Sequence, residues 1–276
     1  MKVLITGASS YVGAGIYSYL KKDKFDIFGT YFSNKIFAEL VKMDITDKSS
    51  VKKVIGKIKP KVIVHVAANP NARWCEEHEQ EAILLNENGV KNIVDNANSI
   101  GSKVIYISSF AAINPNAIYG KTKLAGEKII KETNSGWAIL RPSLIVGYSP
   151  NTTNDRPFNR IFKNITEGTP AIYDISWKFQ PSWLDHISEV IEQIIIREIY
   201  GVTIPIMIPE LKTRFELAKD ILSKFDIKVE PVDKKDESPV YEQKIDKLSE
   251  LGLPTHTYEE MINKIVSDIR EKVIKP

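Results

Sequence analysis

Through the first half of the chain, short apolar runs alternate with longer stretches in which apolar residues recur at helical spacing. A run such as Val3 to Ile5 reads as a strand buried on both faces of a parallel sheet. The pattern predicts strands at Lys2–Thr6, Asp26–Tyr31, Val41–Met43, Val62–Ala67, Lys103–Ser108 and Ala138–Arg141. Between them it predicts helices at Tyr11–Lys21, Ser49–Ile58, Glu76–Ser99 and Ile118–Glu132, with a later one at His186–Ile199. Lys59-Pro60 and Asn69-Pro70 mark turns. Strand and helix in regular alternation argue for an α/β fold, a Rossmann-type doubly wound parallel sheet. After Arg141 the alternation loosens. Tyr148–Pro157, rich in Asn, Thr and Pro, reads as loop, and smaller units follow at Val202–Ile208, Arg214–Phe225, Lys228–Val232 and a final helix Tyr258–Lys272. The expected layout is a dinucleotide-binding core over residues 1–150. Residues 151–276 are expected to form mainly a small C-terminal α/β substrate lobe, with the chain near 182–208 returning to the core.

The bulk properties narrow the classes. A length of 276 residues, 43% hydrophobic and 26% charged, suits one large or two modest globular domains. A formal charge of +3, with no basic stripe interleaved with aromatics, speaks against nucleic acid as a partner. The apolar run Val190 to Ile196 is interrupted by Glu192 and Gln193 and is too short to span a bilayer. One cysteine excludes an internal disulfide framework, and Met1 leads straight into a strand with no room for a secretory leader. A cytoplasmic protein with no membrane partner is the expectation, with a homodimer left open. The four histidines show no metal-ligand spacing, so no metal is expected.

Candidate chemistry begins at Thr6-Gly7-Ala8-Ser9-Ser10-Tyr11-Val12-Gly13. Gly7 lets the chain turn sharply, Gly13 lets the following helix pack against the strand, and the amides at the helix start can hold a pyrophosphate. Ser10 stands where this fingerprint usually has a third glycine, and its hydroxyl could itself meet a phosphate. The end of the second strand carries no acid to bind a ribose 2′-hydroxyl. Tyr31 is followed there by Ser33, Asn34 and Lys35, which suit a 2′-phosphate and favour NADP(H) over NAD(H). Asp44, followed by Ile45, could accept from an adenine amino group, and Asp47 or Thr46 could cap the next helix. His65 is expected in the core. Small residues Ala67 and Ala68 let a cofactor approach the backbone, and Asn69, Asn71 and Arg73 begin a loop over it. Cys75, in the same loop, reads as incidental.

Tyr119 and Lys123 stand four apart on a predicted helix and so share one face. An ammonium beside a phenol favours the phenolate. A free tyrosine titrates near ~10, and bringing it to ~7 takes roughly 4 kcal/mol of differential stabilisation. Ser108 and Ser109 end the fifth strand and place a hydroxyl toward the same point. Neither a nucleophile elbow nor a phosphate-loop lysine is present.

These motifs occur in order with Arg141-Pro142-Ser143 and Val146-Gly147, and together they resemble the extended branch of the short-chain dehydrogenase/reductase superfamily. Within it the chain most resembles the dTDP-4-dehydrorhamnose reductase family and the related regulatory β subunit of methionine adenosyltransferase. Gln180–His186, Ile245–Leu248 and Leu251-Gly252 resemble later landmarks of that subgroup. The resemblance implies hydride delivery from NAD(P)H to C4 of a nucleotide-linked keto sugar. It implies Tyr119 as proton donor, Lys123 holding the nicotinamide ribose and lowering the tyrosine pKa, and Ser109 on the carbonyl. Cofactor contacts are implied at Gly7, Ser9, Ser10, Tyr11, Val12, Gly13, Tyr31, Ser33, Asn34, Lys35, Asp44, Ile45, Ala67, Ala68, Asn69, Ile107, Ser108, Tyr119, Lys123, Arg141 and Pro142. Substrate contacts are implied at Asn71, Arg73, Phe110, Arg156 and Trp183. The chain departs from the family at Phe110–Ile118, which is much shorter than in relatives and implies either a more open substrate pocket or a different sugar. A non-catalytic NAD(P)-binding regulatory subunit and a sugar-nucleotide epimerase stand as alternatives.

Overall fold

The computed structural model describes residues 1–21, 25–238, 240 and 242–274. The chain opens with β1 (Lys2–Thr6), α1 (Tyr11–Leu20), β2 (Asp26–Tyr31), β3 (Val41–Lys42), α2 (Lys48–Ile58) and β4 (Val62–His65). It continues through α3 (Ala72–Glu77), α4 (Glu79–Ile83), a π-helical turn (Leu84–Asn88), α5 (Gly89–Ile100) and β5 (Lys103–Ile107). A 3₁₀ turn at Phe110–Ala112 leads to α6 (Ile118–Ile130), β6 (Trp137–Pro142) and β7 (Ile145–Val146). The remaining elements are α7 (Pro157–Thr166), β8 (Ile172–Asp174), β9 (Lys178–Phe179), β10 (Ser182–Trp183), α8 (Leu184–Arg197), β11 (Val202–Ile206), β12 (Lys212–Thr213), α9 (Arg214–Leu222), β13 (Glu230–Val232), α10 (Asp246–Glu250) and α11 (Tyr258–Ile269).

Seven strands form one sheet in the order β11-β6-β5-β4-β1-β2-β3, and every pairing in it is parallel. Successive side chains of a strand point to opposite faces, and both faces here are covered. Val3, Ile5, Val62, Val64, Ile105 and Leu140 pack with Ile16 and Tyr17 of α1 and Ile187, Ile191 and Ile194 of α8. Leu4, Ile63, Val104, Tyr106 and Ile139 pack on the other side with Val51 and Ile55 of α2, Val90, Ile93 and Ala97 of α5, and Ile130 of α6. Burying a side chain such as Leu4 or Ile63 this way contributes roughly 1.5–3 kcal/mol.

The periodicity from 76 to 99 does not give one helix. His78, at φ −137° and ψ 59°, leaves helical space between α3 and α4, and the chain then widens into the π turn. Asn71 starts α3 early by accepting from the Trp74 amide, which places Cys75 on a buried helical turn and not in a loop. The predicted fourth strand stops at His65 because the Val66 and Ala67 amides turn aside to the Thr6 hydroxyl. Helix α7 was not predicted: Pro157 opens it, and it follows the loop-forming residues directly.

The C-terminal region carries three small pairings, β8 with β13, β9 with β12 and β10 with β7. Two of its elements lie in the core. Strand β11 borders β6, and α8 packs on α1 where Gly15 leaves room for the Leu184 side chain. No helix among the described residues is long and apolar enough to cross a membrane.

Candidate active site

The glycine turn sets the first wall of a cleft. Gly7 has φ +67°, and a Cβ there would meet the Ala67 backbone at 2.9 Å. A Cβ on Gly13 would stand 2.1 Å from the Gly7 carbonyl oxygen. The backbone of the turn is therefore bare, and the first turn of α1 presents amides and the positive end of its dipole. Ser10 is the N-cap of α1: its hydroxyl accepts from the Gly13 amide at 3.0 Å, so that oxygen serves the helix in this structure. The turn is also pinned from behind. The Tyr11 hydroxyl donates to the Gly147 carbonyl at 2.5 Å, Ser149 Oγ to the Tyr11 carbonyl at 2.6 Å, and Asn151 Nδ2 to the Ser9 carbonyl at 2.6 Å.

The second wall is made by the ends of β4 and β5 and the helix α6. Ser10, Tyr11, Val12, Ala68, Ile107, Ser108, Ser109, Phe110, Tyr119, Lys123, Pro142 and Arg156 line one cleft of about 470 Å³, with Trp177 and Arg214 on its lobe side. Helix α6 has Ala117 at its N-cap, with no side chain to cap it; the Glu76 carboxylate of α3 accepts from the Ile118 amide at 2.6 Å instead. This fixes the turn that carries Tyr119. Ser109 Oγ caps the 3₁₀ turn through the Ala111 amide at 3.2 Å and stands close enough to the Tyr119 phenol to lower its pKa.

The electrostatics differ from the expected scheme. Burial raises the Tyr119 pKa above its ordinary value, while Ser109 and the Arg156 charge pull it part of the way back. Lys123 is engaged with β5. Its Nζ donates to the Ile107 carbonyl at 2.8 Å and lies 4.1 Å above the Tyr106 ring. It is 2% exposed, and desolvation pushes its pKa down to about 7, against the opposing pull of Glu127. Glu127, one turn further along α6, was missed in the sequence. Its buried carboxylate accepts from Ser108 Oγ at 2.6 Å and takes a two-pronged grip from Arg141, Nε at 2.8 Å and Nη2 at 2.6 Å. Four- and eight-residue steps from Lys123 and Tyr119 were the signal available for it.

Other expected contacts lie outside the lining of this cleft. The Arg141 side chain is committed to Glu127 and does not line the cleft, which leaves Pro142 as the contact there. Trp183 is buried edge-on against His256, because β10 carries it behind the cleft wall. Asn71 spends its side chain capping α3, and Arg73 is 87% exposed and paired with Glu77. Asn69 is bridged by Asn86, which accepts from its amide and donates to its carbonyl. Asp44 accepts from the Thr46 amide and hydroxyl, Ile45 packs beneath α5 against Gly89, and Asp47 caps α2. Ser33, Asn34 and Lys35 are exposed beyond the tip of β2, with Lys35 Nζ 5.7 Å from the Tyr31 ring.

His65 lies under the cleft floor. The Thr6 hydroxyl accepts from two amides, so its proton goes to His65 Nδ1 at 2.7 Å and Nε2 carries the ring hydrogen. Burial pushes the His65 pKa down to about 3, and that of His186 to about 4. An unfolded histidine titrates near ~6.5, so below that pH the unfolded chain takes up protons that the folded chain refuses. Stability is thus expected to fall with acid between pH 6.5 and about 4.5, by roughly 1.4 kcal/mol per pH unit for each histidine. Urea melts across that window measure the slope. His65→Gln should roughly halve it, and a flat profile in the parent protein would contradict the assignment.

The seven-stranded parallel sheet and the cleft at its strand ends are consistent with the extended short-chain dehydrogenase/reductase superfamily that the sequence resembles. The chain belongs to the RmlD substrate binding domain family, whose model matches residues 1–267. Methionine adenosyltransferase 2 subunit beta of Bos taurus is 33% identical over 159 residues, 53% of this chain and 47% of that protein. The chain spans about half the length of the curated relatives it matches. In fold it is similar to dTDP-4-dehydrorhamnose reductase from Bacillus anthracis in complex with NADP, with a TM-score of 0.80, 24% identity, and coverage of 97% and 98% of the two chains. It is also similar to Thermus thermophilus UDP-glucose 4-epimerase in complex with NAD, with a TM-score of 0.85, 16% identity, and coverage of 99% and 100%.

Proposed function

We propose that this protein is an NAD(P)H-dependent reductase of a keto group on a nucleotide-linked sugar, with C4 as the reduced carbon. The observation that carries this reading is the convergence of Ser109, Tyr119 and Lys123 on one cleft, which Ser10, Tyr11 and Val12 of the glycine turn and the cations Arg156 and Arg214 also line. The turn suits a dinucleotide pyrophosphate because no side chain at Gly7 or Gly13 obstructs its amides. Ser33, Asn34 and Lys35 would meet a 2′-phosphate, which favours NADP(H). The cofactor, when bound, supplies the hydride. Ser109 orients the carbonyl oxygen by a hydrogen bond. Tyr119 gives that oxygen its proton and recovers one from solvent. Lys123 holds the ribose hydroxyls, and Arg156 and Arg214 offset the charge of a diphosphate.

Burial keeps the Tyr119 phenol in its protonated form, the form a proton donor needs. An epimerase would use the same group as base and then as acid and would hold its cofactor through the cycle, whereas a reductase must exchange it each turnover. The regulatory reading draws support from the likeness to the adenosyltransferase subunit and from the short Phe110–Ile118 segment. A regulatory subunit should co-purify with a stoichiometric partner.

The test is calorimetric titration with NADPH and NADH, repeated with a dTDP-linked sugar present. Micromolar NADPH binding that tightens with the sugar, followed by NADPH oxidation on a keto sugar, is the expected result. Binding of NADPH that no nucleotide sugar alters, without turnover, would refute the proposed substrate class.

A further inference from the structure

Glu127 is 1% exposed and carries a charge, which a protein interior tolerates only when that charge is paired and hydrogen-bonded. Its partners come from three elements. Ser108 follows β5, Arg141 lies on β6, and Glu127 itself sits on α6 one turn beyond Lys123. The two residues beside Ser108 face the site: Ile107 offers its carbonyl to Lys123, and Ser109 lines the same cleft as Tyr119 and lowers its pKa. A carboxylate that holds Ser108 therefore sets where both neighbours stand relative to the helix.

We infer that Glu127 is a positioning residue: gripped by Ser108 and Arg141, it locks the end of β5 against α6 and keeps a negative charge behind Lys123. Its role toward the cofactor rests on the reductase reading; its hold on Lys123 does not. The surroundings of Lys123 give Glu127 this weight. His65 on β4 is neutral, and Tyr106 on β5 and Tyr119 on α6 are phenols held protonated by burial. Glu87, on the π turn, acts on Tyr106, and Arg141 on β6 is neutralised by Glu127 itself. Among these groups Glu127 is the anion that favours the charged form of Lys123.

The first readout needs no cofactor. Lysine-labelled protein is titrated by NMR, with the Lys123 signal assigned by its absence in Lys123→Arg. Glu127→Gln is expected to move the Lys123 midpoint down by about one pH unit, and Glu127→Asp, which keeps a carboxylate, to restore most of it. The second readout is NADP⁺ affinity. Glu127→Gln should bind it about as well as the parent at pH 5.5, where Lys123 is charged in both, and about tenfold more weakly at pH 8. A purely structural role would lower the melting temperature and weaken binding equally at every pH. An unmoved Lys123 midpoint overturns the inference. If Glu127→Gln does not fold, the double variant Glu127→Gln with Arg141→Gln is compared with Arg141→Gln alone, so that the difference in Lys123 midpoint between the two again isolates the carboxylate. A parent protein that binds NADP⁺ without turning over any keto sugar refutes the reductase reading alone, because the NMR result stands apart from it.

Discussion

Tyr119→Phe is expected to lower turnover by roughly 10³-fold and to leave NADP(H) affinity within about twofold. The ring keeps its packing beside Ser109, and only the proton is lost. Loss of a positioned acid removes a contribution that exists in the transition state and not in the bound ground state. The effect should therefore appear in kcat with KM little changed. Steady-state NADPH oxidation and a binding titration on the same preparation measure the two quantities. Near-normal turnover would take the proton-donor role away from Tyr119, and parallel loss of binding would make the residue a cofactor contact alone.

Gly13→Ala is the second large effect. Its methyl would lie 2.1 Å from the Gly7 carbonyl oxygen, 2.8 Å from the Gly7 carbonyl carbon and 3.0 Å from Ala8 Cα. All three are backbone atoms of the turn, so no rotamer change relieves the clash. Overpacking of this kind costs typically about 1–3 kcal/mol, and it falls where the amides must keep their aim. The expected outcome is a melting temperature lower by several degrees and at least a hundredfold loss of NADP(H) affinity. Substitution at Gly56, where an added Cβ meets nothing within 4 Å, serves as the control. Equal behaviour of the two variants would mean that the turn can relax.

The legible parts of this chain are those that local pattern determines. The core strands read correctly because both faces of the sheet are covered and their apolar runs are unbroken. Tyr119 and Lys123 could be placed together because four-residue spacing on a helix is a local fact. Where Lys123 points was not local. Its depth is set by the Ile107 carbonyl and the Tyr106 ring, 16 and 17 positions earlier in the chain, and the burial of Tyr119 itself, equally non-local, raises the phenol pKa. Glu127 looked like any charge on a helix until Ser108 and Arg141 were brought to it. The break at His78 and the π turn lie within an uninterrupted stretch of helix-compatible residues, and Asn86 bonded to Asn69 and Thr122 shows what holds that distortion in place. Helix α7 was legible but overlooked: Phe158, Ile161, Phe162 and Ile165 stand at helical spacing, and the Asn-, Thr- and Pro-rich run that ends at Pro157 masked its start.

The return of β11 and α8 to the core bears on how such proteins can be re-engineered. The lobe is not a cassette between two cut points. Ending the chain near residue 150 would strip β6 of its neighbour and lay bare an edge open to pairing with other chains. It would also uncover the face of α1 that receives Leu184, and cut Asn151 from Ser9 beneath the glycine turn. A graft from a relative with a different sugar preference would have to bring two separate stretches, one before β10 and one after β11, and leave the segment between them untouched.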